Sequence, residues 1–381
     1  MTLMTSTTDE RDLKAASAVR GRSLWDDARD RLLANKAAVT SMVVLVAVAI
    51  ACFIGPLLSP HDYDEVYREY VKVPASLEPY PRADQVTPEI ESVLRRARVT
   101  VDELTVESGN FTARISSPRK IDPRVTRYID RSDLFENAEI YDFSADEKSA
   151  TVRADVKTLY FFFGTDSNGR DLMTRTLIAG RVSLTIGLLA TFVAIAIGVV
   201  YGAVSGYLGG RVDLLMMRIV DILYSLPFIF FVILLVVFFG RNFVLMFIAV
   251  GAVEWLDMAR IVRGQTLSLK RQEFVQAAEA LGVDNAGVLK RHIIPNTLGQ
   301  VVIYMTLLVP KVILLESFLS FLGLGVQEPM TSWGVLISEG SRNVQGAAWM
   351  LIFPSIFLTS TLFALNFIGD GLRDALDPKD R

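Results

Sequence analysis

Four ionisable side chains interrupt stretches that are otherwise apolar: Glu254 and Asp257 between Phe243 and Ile261, and Lys311 and Glu316 between Leu298 and Leu319. A charge in such a setting is costly, and it marks a pathway or an interface between subunits unless a partner neutralises it. Asp257 has Arg260 three residues on, and Arg218 has Asp221, so each can form an ion pair along one helix face. Lys311 and Glu316 are five residues apart, a poor spacing for a pair on one helix, so both join Glu254 as pathway or interface candidates. Catalytic chemistry has little to build on. The one cysteine, Cys52, rules out an intrachain disulfide and a Cys-based metal site. The two histidines, His61 and His292, stand in no HExxH motif, and His292 has no second ligand within reach. No GxxxxGK[ST] segment occurs, so any ATP chemistry must come from another polypeptide. The sequon Asn110-Phe111-Thr112 is read as a chance match.

The elements that must hold these residues are membrane helices. Of 381 residues, 51% are hydrophobic and 21% charged, and the mean hydropathy is +0.37, which suits neither a soluble enzyme nor a disordered chain. A formal charge of −3 provides no basic field for nucleic acid. Six apolar windows reach spanning length, about 20 residues: Ala38–Leu58, Val182–Tyr207, Arg218–Phe239, Phe243–Ile261, Leu298–Leu319 and Trp349–Ile368. Six spans put both termini on one side. The termini, the turn around Arg211 to Arg218 and the loop from Arg260 to Thr297 carry 18 Lys and Arg, against only Arg241 and Arg342 in the two short loops opposite. Both termini are therefore expected in the cytoplasm. The first apolar run is longer than a signal-peptide core and lacks a small-x-small cleavage site, so it reads as a retained anchor. Leu24, Trp25, Ala28, Leu32 and Leu33 share a helical face before it, which fits either a solvated lead-in or an interfacial helix anchored by Trp25.

The predicted organisation is a cytoplasmic segment 1–36, a first span 37–60, an outer insert 61–160 and a membrane core 161–381 with five further spans. From His61 to Arg181 the chain holds 18 Lys and Arg and 22 Asp and Glu, the density of a water-exposed domain. Pro74, Pro79 and Pro81 suggest an extended lead-in. Thr87 as N-cap with Pro88 at the first helical position opens an expected helix whose Ile90, Val93, Leu94 and Ala97 recur at helical spacing. Phe111, Ala113 and Ile115 alternate, as do Val152, Ala154 and Val156. Ile140–Phe143 and Thr151–Tyr160 could pair as a hairpin, giving a small α+β insert.

On the other side, the loop of about 36 residues between Arg260 and Thr297, with its core at 262–297, is far longer than a connector needs. Glu273 to Leu281 reads as a short helix ending at Gly282, and Asp284 can cap a second helix running to Pro295. Ala277 and Ala278 let another backbone approach, and Lys290 with Arg291 offers charge to an acidic partner. Within the membrane, Gly198, Gly202 and Gly206 form a small-residue stripe, for close helix packing or for a hinge. Pro227 and Pro310 are expected to bend their helices.

The spacing Gln276-Ala277-Ala278, three residues, Gly282, nine residues, His292-Ile293-Ile294-Pro295 resembles the EAA loop of binding-protein-dependent ABC importer permeases, EAA-x3-G-x9-I-x-L-P. Gln276, His292 and Ile294 depart from that pattern, and Arg291-His292-Ile293-Ile294-Pro295-Asn296 is similar to the peptide and nickel branch. Phe163-Gly164-Thr165-Asp166 with Gly169-Arg170-Asp171, the run from Ser317 to Gly325, Ser332-Trp333-Gly334, Leu256 to Arg260, and the tail from Gly369 resemble one group within it, the C-type inner-membrane permeases of oligopeptide importers. His61 to Lys157 matches nothing in that pattern.

The resemblance implies an all-α, six-helix type I ABC importer permease carrying the α+β insert between its first two spans. It would be a non-catalytic component of a bacterial inner-membrane importer of oligopeptides, with the insert in the periplasm. Glu273, Gln276, Ala277, Ala278, Gly282 and Pro295 would dock into an ATP-hydrolysing partner. The implied partners are a second, homologous permease chain, two ATP-binding subunits or domains, a periplasmic peptide-binding protein and membrane lipid. No cofactor is expected on this chain, and ATP and Mg belong to the partner ATPases. The alternatives are another cargo, such as dipeptides, nickel or a peptide-like antibiotic, and an ion-coupled secondary transporter, for which the sequence lacks an internal repeat.

Overall fold

The computed structural model describes residues 24–376, apart from positions 108, 241 and 242. Helix α1 (Leu24–Ala34) stops at Asn35, whose Oδ1 accepts from the backbone N–H groups of Ala37 and Ala38 and so caps α2 (Lys36–Leu58). Helix α1 packs against the last helix of the chain. Ala28 is buried, whereas Leu33 is exposed, and the Trp25 side chain on which the interfacial reading rested lies outside the described residues.

The insert is built on alternation and one amphipathic helix. Helix α3 (Ala83–Arg96) opens one turn earlier than Thr87 suggested, because the Gln85 side chain accepts from the Arg82 N–H and buried Val86 extends the apolar stripe of Ile90, Val93 and Leu94. Four antiparallel strands follow, β1 (Thr100–Glu107), β2 (Asn110–Ser116), β3 (Phe135–Tyr141) and β4 (Ser149–Val156), in the order β1-β2-β4-β3. A short helix, α4 (Thr126–Asp130), precedes β3. Phe111, Ala113 and Ile115 of β2 and Ala150, Val152 and Ala154 of β4 face one way and share a core with α3, Ile129 and Phe135. The hairpin pairs Ile140 with Val152, but β3 starts at Phe135 and β4 ends at Val156, so both strands lie earlier than the sequence suggested. A strap from His61 to Pro81 ties this layer to the helices: the rings of Tyr67, Tyr70, Tyr80 and Phe161 cluster in edge-on and tilted contacts, and Tyr80 pairs with Leu159.

The membrane core is organised around α5 (Leu172–Leu208), whose 37 residues measure roughly 55 Å end to end. It is followed by α6 (Gly210–Ser225), α7 (Phe228–Phe239), α8 (Phe243–Leu269), α9 (Glu273–Ala280), α10 (Asn285–Val288), a π turn (Leu289–Ile293), α11 (Ile294–Phe321), α12 (Trp333–Arg342) and α13 (Trp349–Leu376). Among the described residues, four helical stretches are long and apolar enough to cross a bilayer: α2, α5, Asn285–Phe321 and α13. The expected third span is two helices meeting at 87° where Pro227 interrupts the chain, and counting that pair as one span makes five. The expected turn at Arg211 is itself helical, part of α6. Helix α8 replaces the expected fourth span and carries Glu254, Asp257, Arg260 and Arg263 from near its middle onward. Helix α11 runs unbroken through Pro310.

Candidate functional site

Helices α8 and α11 bring together three of the four intramembrane charges. The Lys311 ammonium donates to Glu254 Oε2 at 2.7 Å and to Asp257 Oδ2 at 3.1 Å. The Glu254 side chain is 5% exposed and that of Lys311 is 50% exposed, so the carboxylate is buried while the amine faces open space. That space is a cavity of about 350 Å³ between the α6–α7 break and α8, walled by Tyr224, Leu226, Pro227, Phe231, Val253 and Leu256 and floored by the three charges. An apolar chamber with one cation and two anions can meet both ends of a zwitterion, since a peptide terminus finds a charge of opposite sign on the same wall.

The pairs expected along single helices do not form. Asp257 turns to Lys311, Arg260 bonds Asp221 of α6 at 2.9 Å and lies 4.3 Å from the Tyr224 ring, and Asp221 pairs with Arg260 in place of Arg218. Interhelical partners at hydrogen-bond distance outcompete an i,i+3 neighbour, whose gain is only a few tenths of a kcal/mol. Glu316 is apart from the triad. It is fully buried where α5, α11 and α12 meet, and it accepts from Ser320 Oγ at 2.6 Å and Ser183 Oγ at 3.2 Å.

At the far end of α5, the loop forms a knob. Helix α9 closes on Gly282 by two bonds, from the Gly282 N–H to Glu279 O at 3.0 Å and from the Val283 N–H to Ala278 O at 3.1 Å. These bonds require a left-handed residue at the cap, and Gly282 has φ +82°. Asp284 Oδ1 accepts from the Gly287 N–H and starts α10. The second loop helix is not a separate unit: α10 continues through the π turn into α11, with Pro295 in its first turn. Val275, Val288 and Ile293 are buried against Val199, Ala203, Tyr207, Met258 and Val262, which anchors the knob to the ends of α5 and α8. The Tyr207 hydroxyl donates to Glu279, and Lys270 donates to the Tyr207 carbonyl. Ala278 faces inward, whereas Glu273, Gln276, Ala277, Gly282 and Pro295 are exposed beside Phe274 and Leu281, the last 85% exposed.

Gly198, Gly202 and Gly206 all face α8. A Cβ at Gly198 would lie 2.6 Å from Met258 Cβ, one at Gly202 would meet the Ala259 carbonyl oxygen and lie 2.9 Å from the Arg263 nitrogen, and one at Gly206 would lie 2.9 Å from the Arg263 oxygen. The missing side chains let the two helices touch backbone to backbone, and Arg263 then reaches Asp213 of α6 with two bonds of 2.6 Å.

A second charge cluster, at the insert end of α5, escaped the sequence reading. Asp166 accepts from Arg170 Nε at 2.8 Å and from Arg175 Nη1 at 2.6 Å, Arg170 reaches Glu328 at 2.9 Å, and Glu339 of α12 stands 3.8 Å from Arg175. Burial, reinforced by Asp166, pushes the Glu339 carboxyl up to about 7. Trp333 Nε1 donates to Thr176 O and Trp349 Nε1 to Thr165 O, which ties the blocks around Thr165 and Trp333 into one junction. The available signal was Arg175, a cation in the first turn of an apolar helix whose partner lies nine residues back across a turn.

Residues 165–381 match the family described as the binding-protein-dependent transport system inner membrane component, and residues 23–79 match the N-terminal TM domain of oligopeptide transport permease C. Between the two lie residues 80–164, which hold the sheet. The chain is 43% identical over 363 residues to the oligopeptide transport system permease protein OppC of Haemophilus influenzae, covering 95% of this chain and 91% of that one. The Escherichia coli OppC is 46% identical over 363 residues, with 95% and 94% covered, and the Bacillus subtilis dipeptide permease DppC 47% over 221 residues, with 58% and 69% covered. The inward-facing MetNI methionine ABC transporter aligns with a TM-score of 0.45 at 15% identity, covering 54% of this chain and 96% of that one. By its matched ranges and by this identity along nearly its whole length, the chain belongs to the inner-membrane permease family of binding-protein-dependent ABC importers, in the oligopeptide permease C group.

Proposed function

We propose that this chain is one of two permease subunits of a bacterial inner-membrane ABC importer that moves oligopeptides from the periplasm to the cytoplasm. The carrying observation is the knob. Its exposed Gln276, Ala277 and Leu281 form a surface that nothing among the described residues covers, while its second limb is continuous with α11, which holds Lys311 in the cavity wall. A push on the knob is thereby a push on the helix that lines the chamber, which is the mechanical requirement for coupling ATP hydrolysis in a partner to access at a substrate path. Glu273, Gln276, Ala277, Gly282 and Pro295 would meet the ATPase, with Ala278 holding the helix to its base. ATP and Mg would bind in that partner, and this chain would perform no catalysis. The remaining partners are a homologous permease, a periplasmic peptide-binding protein and surrounding lipid.

In this reading both termini and the knob face the cytoplasm, as the distribution of Lys and Arg favours, and the insert faces the periplasm. Six crossings follow if α8 and the bent α6–α7 pair each count as one. Segment 1–36 would lie on the cytoplasmic side, 37–60 would cross, 61–160 would form the outer domain, and 161–381 the core. The dipeptide permease among the relatives makes dipeptides the second cargo to test.

The test is uptake of a labelled pentapeptide into vesicles bearing this chain and its coexpressed partners, with Gly282→Asp beside wild type. Wild-type uptake that requires ATP, with the variant losing both uptake and copurification of the ATPase, is the expected result. Uptake driven by an ion gradient without ATP would overturn it. Competition by an unlabelled dipeptide at equal potency would reassign the cargo.

A further inference from the structure

Charge is sorted on the insert in a way its fold does not demand. Between Ala83 and Val156 there are eleven Lys and Arg and fifteen Asp and Glu. Six of the eleven, Arg98, Arg119, Lys120, Arg124, Arg127 and Arg131, line one cavity of about 410 Å³, together with a single acid, Asp122. Asp122 is committed to the Arg124 backbone N–H, and Lys120 to Glu147 at 3.0 Å. Among the described residues, none of the five arginines has a carboxylate within ion-pair distance, although Arg96 nearby takes Glu89. All five arginines are exposed. An acidic domain thus concentrates five uncompensated guanidinium groups in one concavity, against their mutual repulsion.

We propose that this cavity binds a soluble polyanion whose charge is carried by clustered phosphate groups. Guanidinium forks match phosphate oxygens with paired hydrogen bonds. A phosphate group carries about −1.5 to −2, so three of them balance five arginines within a volume of this size, whereas carboxylates would need five groups and a larger body. Tyr128, exposed at the rim, offers a ring face to any planar part of the ligand. Position favours a dissolved ligand over a lipid headgroup. Arg98 and Arg119 lie where β1 begins and β2 ends, beside the start of β4, and β4 returns the chain to the membrane core only at its other end. Eight residues of strand and fourteen of α3 each measure roughly 20–26 Å, so Arg98 and Arg119 stand at the end of the insert away from the return to the membrane core, while Arg131, two residues from Asp133, closes the cavity on the strap side.

The test is calorimetric titration of the full chain, in nanodiscs of phosphatidylcholine, with inorganic tripolyphosphate. Saturable binding of one per chain is expected. Arg124→Ala with Arg127→Ala should weaken it about tenfold or more, and Arg124→Lys with Arg127→Lys, which keeps the charge and the fold, should weaken it less. Arg114→Ala with Arg153→Ala removes the same charge outside the cavity and should leave affinity unchanged. Absence of saturable binding, or equal loss in the two alanine pairs, would overturn the proposal. Loss of affinity when phosphatidylglycerol is added at constant ionic strength would reassign the cavity to a headgroup, and tighter binding of poly-glutamate than of tripolyphosphate would reassign it to an acidic protein face.

Discussion

Lys311 is held by two carboxylates from one neighbouring helix, yet half of its side chain stays open to the cavity. The asymmetry has a consequence for mutants. Removing the amine strands Glu254, which is 5% exposed, as an uncompensated charge, and breaking a buried pair from one side costs about 3–5 kcal/mol, less here because Lys311 is half solvated. Lys311→Met is therefore expected to lower the unfolding temperature of the purified chain and to cut peptide uptake by about tenfold or more. Combined with Glu254→Gln, it should regain most of the lost stability, because the deeply buried charge is gone and the remaining carboxylate, Asp257, is 27% exposed, without regaining uptake. Recovery of both by the double variant would show that the triad is structural only. The residue types of this site were legible in the sequence, since charges in apolar runs stand out, but their partners were not. Asp257 and Arg260 are neighbours on one helix and still part company, because Lys311 and Asp221 approach from other helices.

Among the elements, α5 and α8 approach each other closely through Gly198, Gly202 and Gly206, where backbone meets backbone. A side chain there must push the helices apart. Gly202→Val is expected to destabilise by about 1–3 kcal/mol, read as a fall in unfolding temperature. Gly264, on α8, has nothing within 4 Å of an added Cβ, so Gly264→Ala should be neutral or stabilise by up to about 1 kcal/mol through helix propensity. A fall of equal size in both variants would mean that backbone freedom, and not contact, is what α8 requires of its glycines. The end of the knob's first helix and the start of its second were readable because their signals are local, a glycine cap at Gly282 and an Asx cap at Asp284, whereas Ala278, expected to admit another backbone, is buried. The continuity of α10 with α11 was hidden, since Pro295 reads as a stop in sequence but sits in the first turn of the next helix, where its missing N–H costs nothing.

Across the molecule as a whole, the insert is bolted to its strap by two carboxylates. The Glu69 N–H donates to Asp133 Oδ2 at 3.4 Å and the Asp133 N–H to Glu69 Oε2 at 3.3 Å. Burial first, and the hydrogen bond and charge of Asp133 next, push the Glu69 carboxyl up to about 7 from its ordinary 4.5. The sign follows from linkage. Below pH 4.5 both folded and unfolded chains hold the proton, and the stability from this group is fully present. As pH rises toward 7 the unfolded chain releases the proton and the folded chain keeps it, so stability is lost across that window and levels off above it. Thermal unfolding of the full chain between pH 5 and 8 should show this decline, and Glu69→Gln should make it shallower, leaving the part due to Glu339, and raise the unfolding temperature at pH 8. A variant with the wild-type slope would place the proton elsewhere.

Features of short reach were written into the residue order: a membrane protein from hydropathy, a charge-dense segment between the first two long apolar helices from composition, strands and helices from period, and the family from a spaced loop motif. Each is set by residues within about one element of one another, where local sterics and hydration decide. Meetings between distant segments were settled only by packing in three dimensions. Lys311 finds Glu254 57 residues away, Arg175 finds Glu339 of a distant helix, and arginines from three separate segments converge on one cavity. The break at Pro227 that opens the chamber belongs with these, because a proline permits either a kinked span or two helices at 87°, and the packing of α6 and α7 around the cavity selects between them.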